Sequence, residues 1–273
     1  ATDFVPGRHR AQESGDRKPR TLRKWKDDST CQPAKSNLAE NHRIPYPKEL
    51  IMVERIIVGP VHTNAYVYSE WKKECIILDP GFDPELIISR LALINMKPRG
   101  IVLTHGHVDH TAAAGSLRDH YREAGIELGI AIHIKDKKYM GPRSKKSHGA
   151  MFGEDEGSGY EGFDDAIQNM PNADVYLEDG DPIFESDLKV IHTPGHSPGS
   201  ICVYTESQEL LFSGDTLLFE DVGRTDLPGG DAKALVRNIR EKIFVLPAET
   251  RIFPGHGPNT TLEREMRHNP HLN

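Results

Sequence analysis

Six consecutive residues, His105-Gly106-His107-Val108-Asp109-His110, put four metal-competent side chains directly behind the apolar run Gly100-Ile101-Val102-Leu103-Thr104. The run reads as a buried strand, and a turn at its carboxyl end can aim the side chains that follow at one point. Imidazole and carboxylate are donors that first-row divalent ions accept. Three more candidates occupy similar glycine turns: His196 in Pro194-Gly195-His196-Ser197-Pro198-Gly199, Asp215 in Ser213-Gly214-Asp215-Thr216, and His256 in Pro254-Gly255-His256-Gly257. Seven donors are about what two ions need. The bland alternative, a histidine-rich surface turn, accounts for the first motif alone and leaves the other three unexplained.

In order and spacing, these seven residues resemble the ligand signature of the metallo-β-lactamase superfamily: His-x-His-x-Asp-His, then a lone His, a lone Asp and a last His. The stretch 213–231, with Ser-Gly-Asp-Thr-Leu followed by Gly-Arg-Thr-Asp-Leu-Pro-Gly-Gly-Asp, is similar to the hydroxyacylglutathione hydrolase (glyoxalase II)-like branch. The likeness runs from about Leu50 to the C-terminus. It implies an αββα sandwich, two mixed β-sheets flanked by helices. By the resemblance, His105, His107 and His196 hold one divalent ion, Asp109, His110 and His256 a second, and Asp215 bridges both. Zinc is the first expectation for the pair, with iron and manganese as alternatives that the donor list does not rank.

Two ions so held imply a binuclear metallohydrolase acting on a thioester such as S-lactoylglutathione, with a metal-bridging hydroxide as nucleophile and Asp109 and Asp215 as the catalytic carboxylates. Arg224 lies where related thioester hydrolases present a basic residue, and a guanidinium can grip a carboxylate through two parallel hydrogen bonds. The alternative is an arginine that pairs with Asp226 or Asp231 and braces its own loop. Full-length glyoxalase II carries a helical C-terminal domain that binds glutathione. Here the likeness is to short members ending in a Glu263-Arg264 and Asn269-Pro270 stretch, so glutathione as the thiol is an open expectation. A single-iron persulfide dioxygenase on the same scaffold is the alternative activity. Its Pro-Ala-His-Asp-type element is replaced here by Pro254-Gly255-His256-Gly257, and the Asp109-His110 pair is intact. A subunit of a larger assembly, docked through the N-terminal segment, is the alternative from a different class.

Other polar residues near these motifs have plainer readings. Ser213 has no partner base in sequence and reads as a structural hydroxyl. His192 is expected to support the site rather than ligate, and Asn64 reads as a turn former. His62, His120, His133, His148, His268 and His271 match no motif position and read as surface or packed histidines.

The elements that must position the site begin at residue 49. Strands are expected at 51–58, 65–68, 75–78, 100–104, 130–134, 188–191, 201–204, 210–212 and 251–253. Helices are expected from Pro84, where Asp83 reads as the N-cap, and over 112–124, 232–244 and 263–267. The glycine- and charge-rich stretch 135–171 reads as a long loop with a short helix near 164–169. Periodicity alone supports α/β or α+β; the sandwich comes from the resemblance.

Charge is unevenly spread. Residues 1–48 carry eleven Lys/Arg against six Asp/Glu, so the remaining chain bears a net −12 of the overall −7 balance. The segment 1–48 has no apolar periodicity before Ile44 and reads as a basic, flexible arm that could bind a protein partner. An acidic body argues against nucleic acid as a substrate. No apolar run reaches the ~18 residues of a membrane helix. Cys31, Cys75 and Cys202 do not read as a disulfide framework, and the segment 1–48 contains no apolar h-region of a secretory signal. A reducing compartment, cytoplasm or organelle matrix, is therefore expected rather than secretion.

Overall fold

The computed structural model describes residues 51–71, 73–152 and 163–272. The basic arm expected over 1–48 lies outside these residues, as does Cys31. Among the described residues no helix is long and apolar enough to cross a membrane, and Cys75 and Cys202 are buried free thiols.

Two sheets form the body. The first has six strands in the order β1 (Met52–Val58), β2 (Thr63–Ser69), β3 (Glu74–Leu78), β4 (Lys97–Leu103), β5 (Gly129–His133) and β6 (Val175–Leu177). Its first three strands pair antiparallel and β3 to β6 run parallel. Helices α1 (Pro84–Leu93), α2 (Val108–Thr111) and α3 (Ala114–Glu123) occupy the β3–β4 and β4–β5 crossovers. The second sheet has the order β13-β12-β9-β8-β7, from β7 (Lys189–His192), β8 (Ile201–Thr205), β9 (Leu210–Gly214), β12 (Arg251–Pro254) and β13 (Thr260–Thr261). Between them in sequence, β10 (Leu217–Leu218) and β11 (Asp221–Val222) form a small separate ribbon.

Alternation along the strands explains the layering. In β3 and β4, Ile76, Leu78 and Val102 face a core shared with Val203, Leu210 and Phe212 of the second sheet. Their neighbours Ile77, Ile101 and Leu103 pack instead against Ile87, Leu91 and Leu117 of α1 and α3. A strand covered on both faces reads as an unbroken apolar run, which is why Ile76-Ile77-Leu78 and Ile101-Val102-Leu103 show no polar positions. On the second sheet's outer face, Cys202, Leu211 and Ile252 meet Leu235 and Ile239 from α6 (Ala232–Asn238) and the π-helical turn Ile239–Ile243, with Leu262 from α7 (Leu262–His268). The result is the expected four-layer αββα arrangement.

Several local expectations need correction. The stretch 135–171 is not mainly loop: short 3₁₀ turns at Ile134–Tyr139 and Gly141–Arg143 lead into an unexpected helix, Ser144–Phe152 (α4), while the short helix expected near 164–169 is present at Asp164–Gln168 (α5). Asp83 precedes α1 but makes no capping bond through its side chain. Its carboxylate accepts the Gly59 amide at 2.9 Å instead, tying the β1–β2 turn to the start of α1.

Candidate metal centre

Every candidate ligand leaves the carboxyl end of a strand. His105 and His107 follow β4, and α2 begins at Val108 and turns Asp109 and His110 inward. From the second sheet, His196 lies in the loop after β7, Asp215 follows β9 directly, and His256 stands two residues after β12. The two sheets thus present one turn and three loops to a common point, as open α/β sheets commonly do.

The structure brings all seven residues together. Three overlapping groups have their donor atoms within 4.8 Å of one another: His105, His107 and His196; His105, His110 and Asp215; and Asp109, His110 and His256. Individual separations are 3.2 Å from His105 Nε2 to His196 Nε2 and 3.2 Å from His110 Nε2 to His256 Nε2. Asp109 Oδ2 stands 3.2 Å from His256 Nε2 and 3.5 Å from His110 Nε2. Asp215 presents Oδ1 to His110 at 3.5 Å and Oδ2 to both His196 and His256 at 3.6 Å. Donors ~2.0–2.1 Å from a tetrahedral ion stand ~3.3–3.4 Å apart, so these separations are those of a coordination polyhedron.

Two buried atoms, His107 Nε2 and Asp215 Oδ1, have no hydrogen-bond partner. An orphaned buried imidazole nitrogen and carboxylate oxygen are costly unless something binds them, and a cation satisfies both. The donor set therefore fits divalent ions.

Electrostatics agree. Burial, followed by repulsion from neighbouring imidazoles, holds His105 and His107 well below the usual histidine range, so both present lone pairs near neutrality. Burial also opposes a charge on His110, but Asp109, Asp215 and Asp79 outweigh it and lift that imidazole to about 10. Asp109 is partly buried, which also opposes its charge, yet His110 and His256 keep its carboxyl below the usual carboxylate range. Without an ion the cluster thus recruits a proton to offset its carboxylates; a divalent cation would displace it.

Residues that the sequence did not single out hold the ligands in place. Asp79, in the Asp79-Pro80-Gly81 turn after β3, accepts Thr104 N at 2.7 Å and Thr104 Oγ1 at 2.6 Å, and pairs with His110 Nδ1 at 3.0 Å. This frees His110 Nε2 for the cluster. Asp136, fully buried in the 135–171 stretch, accepts Gly106 N at 2.9 Å and Ser197 Oγ at 2.6 Å through Oδ2, and Gly199 N at 2.7 Å through Oδ1. It therefore ties the His105–His107 turn to the His196 loop. Buried His148 faces Gly106 O at 3.2 Å. Nothing in sequence marks these two except their place in a polar, unpatterned stretch.

Asn64 does more than form a turn. Its Nδ2 donates to Pro254 O at 2.8 Å and Gly257 O at 2.9 Å, clamping the His256 loop. Ser213 is structural, donating to Leu217 O at 2.7 Å. His192 supports the His196 loop through Nε2 to Pro198 O at 3.0 Å, and stacks on His133 with ring centroids 3.9 Å apart. Glycine is required where loops touch. A Cβ at Gly255 would lie 2.3 Å from Asp215 Oδ1, and one at Gly106 2.4 Å from the Tyr139 ring.

The cluster forms the floor of a cleft of about 620 Å³. Val61 from the β1–β2 turn, Leu218, Val222 and Leu227 give it apolar walls, and Arg224 lies at its edge. The Arg224 guanidinium engages both oxygens of Asp226, at 2.8 and 2.7 Å, while its main-chain oxygen faces His196 Nδ1 at 2.8 Å. Its side chain braces the loop in this structure, and its backbone orients a ligand.

Fold and site together define a metal-dependent hydrolase scaffold, and the chain belongs to the metallo-β-lactamase superfamily, whose match spans residues 58–256. Among its relatives is the hydroxyacylglutathione hydrolase GloC of Haemophilus influenzae, 32% identical over 81% of this chain and 98% of that protein. The crystal structure of BLEG-1 B3 metallo-beta-lactamase superposes with a TM-score of 0.68 at 36% identity, covering 81% of this chain and 99% of its own. That of TTHA1623 in a di-iron-bound form gives 0.64 at 32% identity, covering 80% and 99%.

Proposed function

We propose that this chain is a binuclear metal-dependent acyl hydrolase whose substrate is a thioester of the S-lactoylglutathione type. The observation that carries the reading is the convergence of seven donors, spaced for coordination, on the floor of an open cleft. His105, His107 and His196 would hold one ion and Asp109, His110 and His256 the other, with Asp215 between them. When bound, such a pair supplies Lewis acidity and brings a water's pKa toward neutrality. Zinc, iron and manganese all suit the donors.

The chain's own residues do the rest. Asp79 and the Arg224 main-chain oxygen fix the rings of His110 and His196, so their Nε2 atoms stay aimed at the centre. Asp109, held as an anion, accepts a hydrogen bond from the incoming water and keeps it oriented toward the acyl carbon. Val61, Leu218 and Leu227 exclude bulk water from the acyl part of the substrate. A substrate carboxylate at the edge would exchange with Asp226 for Arg224, which costs little because exposed ion pairs contribute little.

GloC is named for thioester cleavage and BLEG-1 for a lactamase; both transfer an acyl group to water. The thioester is preferred here because the 213–231 motif is shared with the glyoxalase II-like branch. The test is a panel of S-lactoylglutathione, a lactone, a β-lactam, a phosphodiester and glutathione persulfide, assayed with metal content and oxygen uptake on one preparation. Thioester turnover with two ions per chain supports the proposal. Oxygen consumption with a persulfide and one iron per chain would replace it, and selective β-lactam cleavage would redirect it.

A further inference from the structure

The segment after α7 returns to the cleft and is pinned on both sides of His271. Asn269 is fully buried; its Nδ2 donates to Asp221 O at 3.0 Å and Glu265 Oε2 at 2.9 Å, and its Oδ1 accepts the His271 amide at 3.1 Å. On the other side Leu272 is only 4% exposed, packed among Leu217, Leu235 and Ile239, and its main-chain oxygen accepts Arg240 Nη2 at 2.8 Å. A residue held between two such anchors has little freedom in where it projects. His271 lines the same cleft as His107, Asp109, Asp215 and His256.

Its ring stands in an exposed ion pair. Nε2 stands 3.1 Å from Asp221 Oδ1, on the β10–β11 ribbon that forms the adjacent wall. Among the described residues Nδ1 has no hydrogen-bond partner, and the side chain is about half exposed (51%). Among the described residues, Arg224 and His271 are the basic side chains on the cleft wall outside the donor cluster. Arg224 engages Asp226 with both arms; His271 pairs with one aspartate through Nε2 and has a second ring nitrogen for a ligand. A carboxylate that fixes an imidazole through one nitrogen leaves the other as a directional contact for ligand.

We propose that His271, paired with Asp221, is a substrate-contacting residue that selects substrates bearing an anionic group: in the imidazolium form both ring nitrogens donate, Nε2–H to Asp221 and Nδ1–H to a substrate carboxylate at the mouth of the cleft. The proposal rests on the acyl-hydrolase reading and adds to it the substrate class and a second basic contact besides Arg224. No bond is made or broken at His271. The segment 269–272 thereby acts as one wall of the specificity site rather than as a closing structural turn.

The test uses the full metal-loaded chain and the variants His271→Ala, His271→Gln and Asp221→Asn. Kinetics are measured with S-lactoylglutathione and with its diethyl ester, which has the same acyl group and no free carboxylates. For His271→Ala the expected result is a roughly tenfold rise in KM for the anionic substrate, the size of one charge-assisted hydrogen bond, with kcat and metal content unchanged. The ester's KM should move less than twofold. His271→Gln, which keeps a donor but not the charge, should recover part of the loss, and Asp221→Asn should show a smaller rise. Calorimetric binding of glutathione and of its diethyl ester gives a readout independent of turnover, and the same selective tenfold weakening is expected there.

Equal losses for both substrates, a fall in kcat, or no change in either assay overturns the proposal. A wild-type chain that hydrolyses no acyl substrate would instead refute the hydrolase reading. The calorimetric comparison would then decide on His271 by itself, and wild-type affinity for glutathione that His271→Ala leaves unaltered would refute the contact.

Discussion

Replacing Asp136 with asparagine removes one charge and adds two hydrogens without changing side-chain size, at a point where three buried donors converge. Oδ2 receives Gly106 N–H and Ser197 Oγ–H, and Oδ1 receives Gly199 N–H. With the amide oxygen kept toward Gly106 and Ser197, those two bonds survive but lose the charged acceptor, each falling from ~1.5–3 to ~1 kcal/mol. The amide nitrogen then faces the Gly199 N–H at about the former bond length, leaving two buried donors without acceptors at ~1–3 kcal/mol each. Against this, burial already pushes the Asp136 carboxyl up, so removing the charge recovers some desolvation. The unsatisfied donors win, and the net loss should be about 2–4 kcal/mol. In a domain of this size that is roughly 5–15 °C in Tm. Because Gly106 and Gly199 flank ligands in two different loops, metal affinity should fall about 10- to 100-fold as well. Thermal denaturation with and without chelator, together with competitive metal titration, measures both. A variant that melts within 1–2 °C of wild type and holds metal equally well would refute the idea that Asp136 fastens the two loops.

Asp215→Ala removes the carboxylate lying between the two imidazole sets, and the expected outcome is loss of at least one ion per chain and nearly all hydrolysis, with the fold retained; two ions and full activity would remove its bridging role. Gly255→Ala places a methyl group 2.3 Å from Asp215 Oδ1 and 2.6 Å from His110 Cε1, so it should fold but fail to retain metal by elemental analysis. The stacked His133 and His192 set an acid limit. Burial, then His192 and Lys135, lower His133 to about 4, against the opposing pull of Asp179 and Asp181, while the unfolded imidazole titrates near ~6.5. Between those values the unfolded state binds the extra proton, so stability falls as pH falls through that window, by up to about 3 kcal/mol from this group. Denaturant titrations of metal-free wild type and His133→Gln from pH 7 to 4.5 should show a shallower pH dependence in the variant.

What the sequence showed clearly was whatever has a local signature. The turn at 105–110 carries four donors in six residues, and the strands around it are doubly buried, so donor types and apolar runs could be read together. Asp215 and His256 were legible because each follows a strand across a glycine that lets two loops meet. Asp136 and His148 were not, since their role comes from contacts with Gly106 and Gly199 that no linear pattern records. Helix α4 was obscured for a related reason: a segment that packs on ligand loops has no solvent-to-core gradient of its own, whereas the short helix α5 was legible near 164–169. Asp83 was legible as the N-cap position of α1 but not in what its side chain binds. Its position before Pro84 has every mark of a cap, yet tertiary structure spends the carboxylate on Gly59.

The division of the donors between the two sheets also bears on the order of events when the chain folds. Four of them sit on one turn and can gather as soon as β4 and α2 form, but their partners lie far along the chain: 91 residues separate His105 from His196 and 146 separate His110 from His256. Contacts of that separation carry the full entropy of loop closure and form late. The centre therefore cannot exist until the second sheet has docked on the first. Before then the nascent chain offers an ion only a histidine-rich turn, with no closing wall. An ion captured afterwards draws the equilibrium toward the docked state by mass action and leaves the isolated sheets untouched. Metal supply would then govern how long the assembled sandwich lasts, while the rate at which it assembles is set by the chain.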